Sequence, residues 1–405
     1  MGRLARFIRF YTDEDDGNGG EKGVLKTVSG ALLHVVDVLA KPAKKFVATL
    51  EPIQSGSGDP SPENIRPITG HTGANVVMTG KNLLPFPYVH DTRTINDVTF
   101  TVNNDGSVTA TGTPTATASF YILNSSTLNL PDLDGKTVAL SGCPSGGSTS
   151  TFYISGFRLA NSGEGSVSDT GTGKTFVWST GTYTNYNIAI NIKVGTVIPS
   201  NGLTFYPQLE LGSTAYTYEE YKAQTIPVTF PDAAGTVYGG TLTNEGGEWN
   251  LRVDSEMTDL GSLNWKAYGQ QESYGGLFYS DAKSSKIKYG SNDEVYTVCE
   301  IYLGVPNRMS GTIGSVSEMP NSSIRVRNGD GRLYVRDDTH ISDNGAAFTT
   351  AVTGKKLVYK LAEPIEHTLT ESQALTLLKG ENNIWVDDSD DLELTYYAKA
   401  EETTP

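Results

Sequence analysis

Short segments in which apolar and polar residues alternate constrain this chain more than any other feature. In "YNIAINIKV" every second residue from Tyr186 to Val194 is apolar, whereas Asn187, Asn191 and Lys193 lie between them. Side chains of a β-strand point to opposite faces with a period of two. The segment therefore predicts a strand with a buried face and a solvent face.

Residues 81–224 contain about eight such segments, separated by turns rich in Gly, Ser, Thr and Asn. "VTFTVNNDGSVTATG" predicts a hairpin with Val98 and Phe100 facing inward and "NNDG" as its turn. "LTFYPQLEL", residues 203–211, predicts a strand with Gln208 and Glu210 on its solvent side. Two packed antiparallel sheets, as in a jelly-roll sandwich, are the expected arrangement of such a set.

A length of 405 residues predicts two to four domains, and the 44 glycines and many Thr, Val and Tyr residues indicate a mainly β fold. We expect several antiparallel sandwich modules and one short C-terminal helix. The predicted organisation is an N-terminal docking arm (1–24), a β framework (25–80), a jelly-roll sandwich (81–224), a linking β meander (225–258), a second β module (259–359), and a helix plus hairpin (360–405).

The helix is predicted from local signals near the C-terminus. Thr370 and Gln373 have capping-box spacing, and Gly380 stands where a helix would end. Leu375, Leu377 and Leu378 would form its apolar side. Strands around "NNIWV" and "ELTYY" are expected to follow and to pair as a hairpin across the acidic turn "DDSDD".

Charge and apolar content exclude several classes of function. The formal net charge is −15, whereas a protein that neutralises phosphates needs a basic surface, so no nucleic-acid partner is expected. No segment approaches the roughly 20 apolar residues of a membrane span, and the first residues lack a signal-peptide core, so we expect assembly in a cytoplasm without membrane insertion. Cys143 and Cys299 lie far apart and predict two reduced, buried thiols.

The sequence matches the motifs of catalysis and of cofactor binding poorly, so no enzymatic activity and no cofactor are expected. "SDTGTGKT" has Ser168 where a phosphate-binding loop needs its first glycine. The sequence contains no Gly-x-Ser-x-Gly and no His-Glu-x-x-His, and its five histidines are scattered. The acidic turns "DEDDGNGG" and "DDSDD" do not match a calcium-loop spacing, so no metal is expected. Carboxylates are abundant, and a pair with glycosidase separation stays an open alternative.

Aromatic clusters are the first candidates for ligand binding. Sugars stack their C–H faces on aromatic rings, and their hydroxyls bond to polar neighbours. Aromatic residues lie near predicted turns of the sandwich: Trp178, Tyr183, Tyr216, Tyr218 and Tyr221. The alternative is packing: tyrosine fits well at strand ends and between modules, and we expect the last three rings to seal the junction between sandwich and framework.

A basic stripe is the second candidate. Arg325 and Arg327 alternate with apolar residues on one predicted strand, and Arg332 and Arg336 lie on the opposing strand. Guanidinium groups could bind a phosphate-bearing polymer of a cell wall through charge-assisted hydrogen bonds. The favoured alternative is that these charges pair with acidic neighbours or protect an edge hairpin from aggregation.

Five phrases in order carry a resemblance to a known group of proteins: "LEPIQSGSGDPSPENIRPITG", "VVMTGKNLL", "FYPQLELGSTAYTYEEY", "FPDAAGTVYGGTL" and "YKLAEPIEHTLTESQALTLLKGENNIWVDD". Together they resemble the minor structural or tail proteins of phages and prophages of Gram-positive, often gut-dwelling, bacteria. The resemblance implies a virion component at the host-facing end, with a carbohydrate-binding-module-like sandwich inserted in a framework. It implies no functional residues.

We therefore expect a non-enzymatic virion protein of the tail tip, fibre or baseplate that binds saccharides or a wall polymer of the host surface. It would be a homo-oligomer, most often a trimer in such proteins, attached to other virion proteins through its N-terminal arm. Two alternatives stay open. One is an architectural head-fibre, neck or decoration protein without a receptor, and the other is a polysaccharide depolymerase.

Overall fold

The computed structural model describes residues 10–15, 20–26, 32–38, 42–123, 130, 133–156, 167–178, 187–268, 276–291, 293–306, 319–387 and 389–399. Within these residues the chain is mainly β, with several antiparallel sheets and one short α-helix, which confirms the predicted fold class. No helix in these ranges has both the length and the apolar character needed to cross a membrane.

The strands and the helix are as follows, in chain order. The first group is β1 (Phe10–Asp15), β2 (Gly20–Lys26), β3 (Leu33–Val38), β4 (Lys45–Leu50), β5 (Ile53–Gln54), β6 (Ile68–Thr69) and β7 (Gly73–Thr79). The second group is β8 (Arg93–Ile95), β9 (Val98–Val102), β10 (Val108–Gly112), β11 (Ala118–Leu123), β12 (Thr137–Ser141), β13 (Phe152–Gly156), β14 (Val167–Asp169), β15 (Lys174–Val177), β16 (Ile188–Ile192), β17 (Leu203–Phe205) and β18 (Gln208–Leu211). Next come β19 (Ala223–Thr229), β20 (Gly240–Glu245) and β21 (Glu248–Asp259). The last groups are β22 (Lys266–Ala267), β23 (Leu277–Ser280), β24 (Thr297–Cys299), β25 (Leu303–Gly304), β26 (Ser323–Val326), β27 (Leu333–Arg336) and α1 (Gly345–Ala351), then β28 (Lys356–Ser372), β29 (Gly380–Val386) and β30 (Ser389–Lys399).

The largest sheet collects strands from separate stretches of the sequence. Its strands lie in the order β19-β7-β29-β3-β30-β4-β20-β21-β28-β24, with β2 also paired to β30. Residues 25–80, 225–258 and 360–405 therefore contribute to one unit, which we call the framework. Its core joins side chains from both halves of this order, such as Met78 and Trp249, so the sheet curves around a shared core.

The predicted N-terminal arm is partly a piece of the same sheet. β1 pairs with β2, and β2 pairs with β30 from Gly20 opposite Lys399 to Lys26 opposite Glu393. The Leu25 side chain is buried in the framework core. Residues 1–9 of the predicted arm lie outside the described residues.

Both inserted modules leave and re-enter the framework at neighbouring residues on paired strands. Thr79 at the end of β7 lies opposite Ala223 at the start of β19. Asp259 at the end of β21 lies opposite Lys356 at the start of β28. Because the ends of each insertion meet, a short linker could replace the sandwich without interrupting the strand pairs of the framework. The second module differs, because it also supplies β24, which pairs with β28 at the edge of the framework sheet.

The first inserted module is a β-sandwich. One layer has the strand order β11-β16-β13-β14, and the other combines β17-β10-β9-β8 with β15-β12-β18. The chain passes from β17 to β18 through Tyr206 and Pro207, which joins the two parts of the second layer. The rings of Phe100 and Phe120 stack in the core with their centroids 5.1 Å apart.

Local predictions within the sandwich are confirmed in part. β9 pairs with β10, with Val102 opposite Val108, which is the predicted hairpin around "NNDG". Ile188, Ile190 and Ile192 are fully buried, as their alternation predicts. The prediction was wrong for Val194, which is 61% exposed because β16 ends at Ile192 and Val194 lies in the following turn.

The second inserted module is a five-stranded sheet covered on one face by α1. The strand order is β22-β23-β27-β26-β25, and the β26–β27 hairpin was predicted. The side chain of Asn344 caps α1 by accepting a hydrogen bond from the Ala347 N–H at 2.9 Å. The helix buries Phe348, whose ring stacks on Phe278 with centroids 3.9 Å apart. Trp265 packs against the same ring, edge to face, at 5.5 Å.

The helix predicted between Thr370 and Gly380 is not formed. Residues up to Ser372 belong to β28, which pairs with β21, and the chain then continues without regular structure to β29. Leu375 and Leu377 are both buried, two residues apart as in an extended chain. Tertiary contacts hold this segment, since Ala43 N–H donates to the Leu375 carbonyl at 2.6 Å, and they outweigh the local helix signals.

The predicted C-terminal hairpin is also wrong. β29 and β30 do not lie side by side, because β3 lies between them in the strand order. β29 pairs with β7 and β3, and β30 pairs with β4 and β2. The acidic turn between the two strands therefore connects separated strands of the framework.

Cys143 and Cys299 are both buried and form no disulfide, as predicted. Cys143 lies in the sandwich and Cys299 in β24. Burial raises the pKa of each thiol to about 12. Both are therefore neutral thiols at physiological pH, with little of the reactive thiolate form.

Candidate functional site

Two of the tyrosines that follow β18 make contacts within the inserted sandwich, including one with Lys81 at its start. The hydroxyl of Tyr218 donates to the Asp105 carbonyl, and the Tyr218 ring packs on Tyr206 with centroids 5.3 Å apart. Burial, followed by the Asp105 carboxylate, raises the pKa of Tyr218 to about 12. Tyr216 is exposed, and its ring lies 4.4 Å from the Lys81 ammonium. Tyr221 is half-buried.

Beneath these rings lies a buried polar network that the alternation pattern did not predict. Gln208 and Glu210, expected on the solvent side of the strand, are fully buried. Gln208 Nε2 donates to Glu210 Oε1 at 2.9 Å, and the Tyr216 N–H donates to the same oxygen at 2.8 Å. Lys81 Nζ lies 3.6 Å from Glu210 Oε2 and 3.8 Å from Glu219 Oε1. These polar contacts join the segment after β18 to Lys81, which follows β7 at the start of the sandwich.

Trp178 is a core residue. It is 5% exposed, its ring stacks on Phe176 at 6.3 Å, and its backbone N–H donates to the Lys136 carbonyl at 2.9 Å. A ring in this position supports the sandwich interior and offers no platform to a sugar. Tyr183 lies outside the described residues.

Of the four arginines in the predicted basic stripe, three pair with carboxylates and one is buried. Arg327 Nη1 and Arg332 Nε lie 3.5 and 3.4 Å from the same Asp330 carboxylate. Arg336 forms two hydrogen bonds of 2.8 Å to Asp338. Arg325 is only 3% exposed. Ion pairing, the favoured alternative, accounts for three of the four side chains.

The outer face of the β11-β16-β13 layer combines aromatic and polar side chains, and we call it the Tyr121–Tyr153 face. It is formed by Ser119 and Tyr121 of β11, Asn191 of β16, and Tyr153 and Ser155 of β13. Asn191 lies between Ser119 and Tyr153 in one row across the strands. In the next row Ala189 lies between Tyr121 and Ser155. The two tyrosines thus stand at opposite corners, two strands or roughly 10 Å apart across the sheet.

Hydrogen bonds hold the centre of this face in a defined geometry. Ser119 Oγ donates to Asn191 Oδ1 at 2.8 Å, and Asn191 Nδ2 donates to Ser155 Oγ at 2.8 Å. A hydroxyl has one donor and two acceptor positions. The Ser119 oxygen therefore keeps lone pairs that can accept, and the Ser155 hydroxyl keeps its proton to donate.

The rings beside these hydroxyls are accessible. Tyr121 is 42% exposed, and Tyr153 is half-buried with the Lys193 ammonium 5.7 Å from its ring centroid. A polar centre between two rings matches a saccharide, which carries C–H faces and neighbouring hydroxyls. Sequence reasoning missed Tyr121 and Tyr153, because an outward tyrosine in a strand carries no local mark of function.

Among the described residues, no three His, Cys, Asp or Glu side chains converge as a metal site. Comparison with protein-family models, with curated proteins and with solved structures gives no match to this chain.

Proposed function

We propose that this chain is a non-enzymatic structural protein of a bacteriophage virion, at the tail tip, fibre or baseplate, and that it binds saccharides of the host surface. The sequence resemblance supports the virion role. The observation that carries the binding role is the Tyr121–Tyr153 face, where two accessible rings flank serine hydroxyls ordered by Asn191.

The architecture suits adhesion. The framework holds the sandwich by adjacent chain ends at Thr79 and Ala223, and the candidate face lies on the outer surface of one sandwich layer. A shallow face of this kind binds a saccharide weakly. In a homotrimer, which we also propose, linked sites gain roughly 100-fold or more in avidity when several engage one cell surface.

The binding role predicts the behaviour of ring variants. We expect the full chain to bind at least one bacterial surface glycan on an array. Tyr121→Ala and Tyr153→Ala should each weaken this binding by about tenfold, because each removes one stacking surface. Binding is measured by titration of the glycan that gives the strongest array signal.

Tyr289→Ala is the matched control. Tyr289 is 47% exposed, similar to Tyr121, but lies in the second module, so its removal should leave glycan affinity unchanged. If the full chain binds no glycan, or if the double variant Tyr121→Ala/Tyr153→Ala binds as well as the unaltered chain, the proposed binding role is wrong. Release of reducing sugar from the bound polymer would contradict the non-enzymatic part and favour a depolymerase.

The virion role predicts a location and an attachment segment. We expect gold-labelled antibodies against the chain to mark the tail tip of purified particles, and deletion of residues 1–9 to reduce incorporation. A deletion extending to residue 24 would also remove β1 and most of β2 from the framework sheet, so the shorter deletion is the informative one. Labelling on the head would favour the architectural alternative.

A further inference from the structure

A pocket of about 370 Å³ lies where the framework meets the second module. Its origin is an irregularity in strand pairing. Val253 of β21 lies opposite Ile365 of β28, but Ser255 lies opposite Lys360, so the single residue Asp254 faces the four residues 361–364. A bulge of this kind bends a strand away from its neighbour and re-aims side chains, often beside a functional site.

The charged groups of the pocket are already paired. Lys360 Nζ lies 3.2 Å from Asp254 Oδ2 and 3.2 Å from Glu51 Oε1. At the rim, Lys288 Nζ lies 3.7 Å from Glu294 Oε2. A ligand with a net charge would have to displace one of these internal partners. A neutral polyol would not, because each of its hydroxyls can donate to a carboxylate and accept from an ammonium at once.

Apolar groups complete the lining. The Tyr296 side chain is buried, and its ring centroid lies 5.6 Å from Lys288 Nζ. Pro364 of the bulge also lines the pocket. These groups can contact the C–H face of a sugar ring. The volume is at the lower end of small-ligand pockets, roughly 300–1,000 Å³, and suits a mono- or disaccharide.

We propose that this pocket is a second ligand site, which binds one neutral saccharide unit between the bulge of β28 and the Lys288–Glu294 rim. The site does not include any residue of the Tyr121–Tyr153 face. It lies between the framework and the second module and not on the sandwich, so the chain would contact saccharide at two separate places.

The test uses the full chain and a panel of glucose, galactose, rhamnose, N-acetylglucosamine and their disaccharides, with binding followed by saturation-transfer NMR and titration. We expect at least one neutral sugar to bind. Asp254→Asn should weaken its affinity by about tenfold, because an amide replaces a charged acceptor. Ala362→Phe places a ring from an exposed position of the bulge into the pocket and should abolish binding.

Glu256→Gln is the matched control, since Glu256 lies on the same strand and pairs with Lys283 and Lys286 but does not line the pocket. Affinity should be unchanged in this control and in Tyr121→Ala/Tyr153→Ala, which separates this site from the proposed sandwich site. The proposal is overturned if no neutral sugar of the panel binds, if binding survives both pocket variants, or if glucose 6-phosphate or glucosamine binds more tightly than its neutral parent.

Discussion

Replacement of Lys81 by methionine is expected to lower the free energy of unfolding of the sandwich by about 3–5 kcal/mol. Lys81 and Glu210 are 8% and 0% exposed, and the Lys81 ammonium is 3.6 Å from Glu210 Oε2. Without it, the Glu210 carboxylate stays buried and loses its cation, which costs far more than the loss of a surface ion pair. Urea unfolding with hydrogen-exchange mass spectrometry would locate the loss in residues 81–222.

Two variants make this prediction specific. Lys45→Met removes an exposed lysine, 3.7 Å from Glu245, and should cost less than about 1 kcal/mol. The double variant Lys81→Met/Glu210→Gln removes both buried charges and keeps a side-chain oxygen to accept from Gln208 and Tyr216, so it should recover much of the lost stability because no unpaired charge stays buried. A cost for Lys81→Met similar to that for Lys45→Met would contradict the prediction that this ion pair is buried and tightly coupled.

This network also shows which contacts of the candidate site could not be predicted from the sequence. The tyrosines after β18 were expected to seal the junction with the framework, but the Tyr218 hydroxyl bonds to the Asp105 carbonyl, in the β9–β10 turn of the sandwich itself. Gln208 and Glu210 were placed on the solvent side, because polar residues in alternation usually face water. Their burial depends on Lys81, more than 100 residues away in the chain, and no local pattern encodes that contact.

The fold was predictable where its contacts are local. The β9–β10 hairpin and the β26–β27 hairpin follow from alternation and turn residues that lie within about 15 residues of one another. The framework sheet was not predictable in the same way. β7 pairs with β19 and β29, which lie beyond the first and the second inserted module, respectively. Alternation identifies each strand, but it does not identify the partner.

The prediction of a C-terminal helix was wrong for a related reason. Capping-box spacing and leucines between Thr370 and Gly380 favour a helix in isolation, but such signals are worth only about 1 kcal/mol each. In the fold, Leu375 and Leu377 enter the framework core, and Asn382 Oδ1 accepts a hydrogen bond from the Leu378 N–H at 2.7 Å. Burial of two leucines outweighs a local preference of this size.

Replacement of Phe348 by alanine is the other change with a large expected effect, about 3–5 kcal/mol of destabilisation. Phe348 is the buried residue of α1, and its ring contacts Phe278 face to face and Trp265 edge to face. Removal of the Phe348 ring leaves a cavity between α1 and the sheet that α1 covers. We expect urea unfolding followed by hydrogen exchange to show the loss in residues 260–355.

The position of the second module makes the effect local. Its chain ends meet at Asp259 and Lys356, so it can lose structure while the strand pairs of the framework persist, except for the pair of β24 with β28. Ile341→Ala is the control, because Ile341 is 55% exposed near the same helix and its truncation should change stability by less than about 0.5 kcal/mol. Equal loss of exchange protection in the framework and in residues 260–355 would show that β28 couples the two into one cooperative unit, and the local expectation would then be wrong.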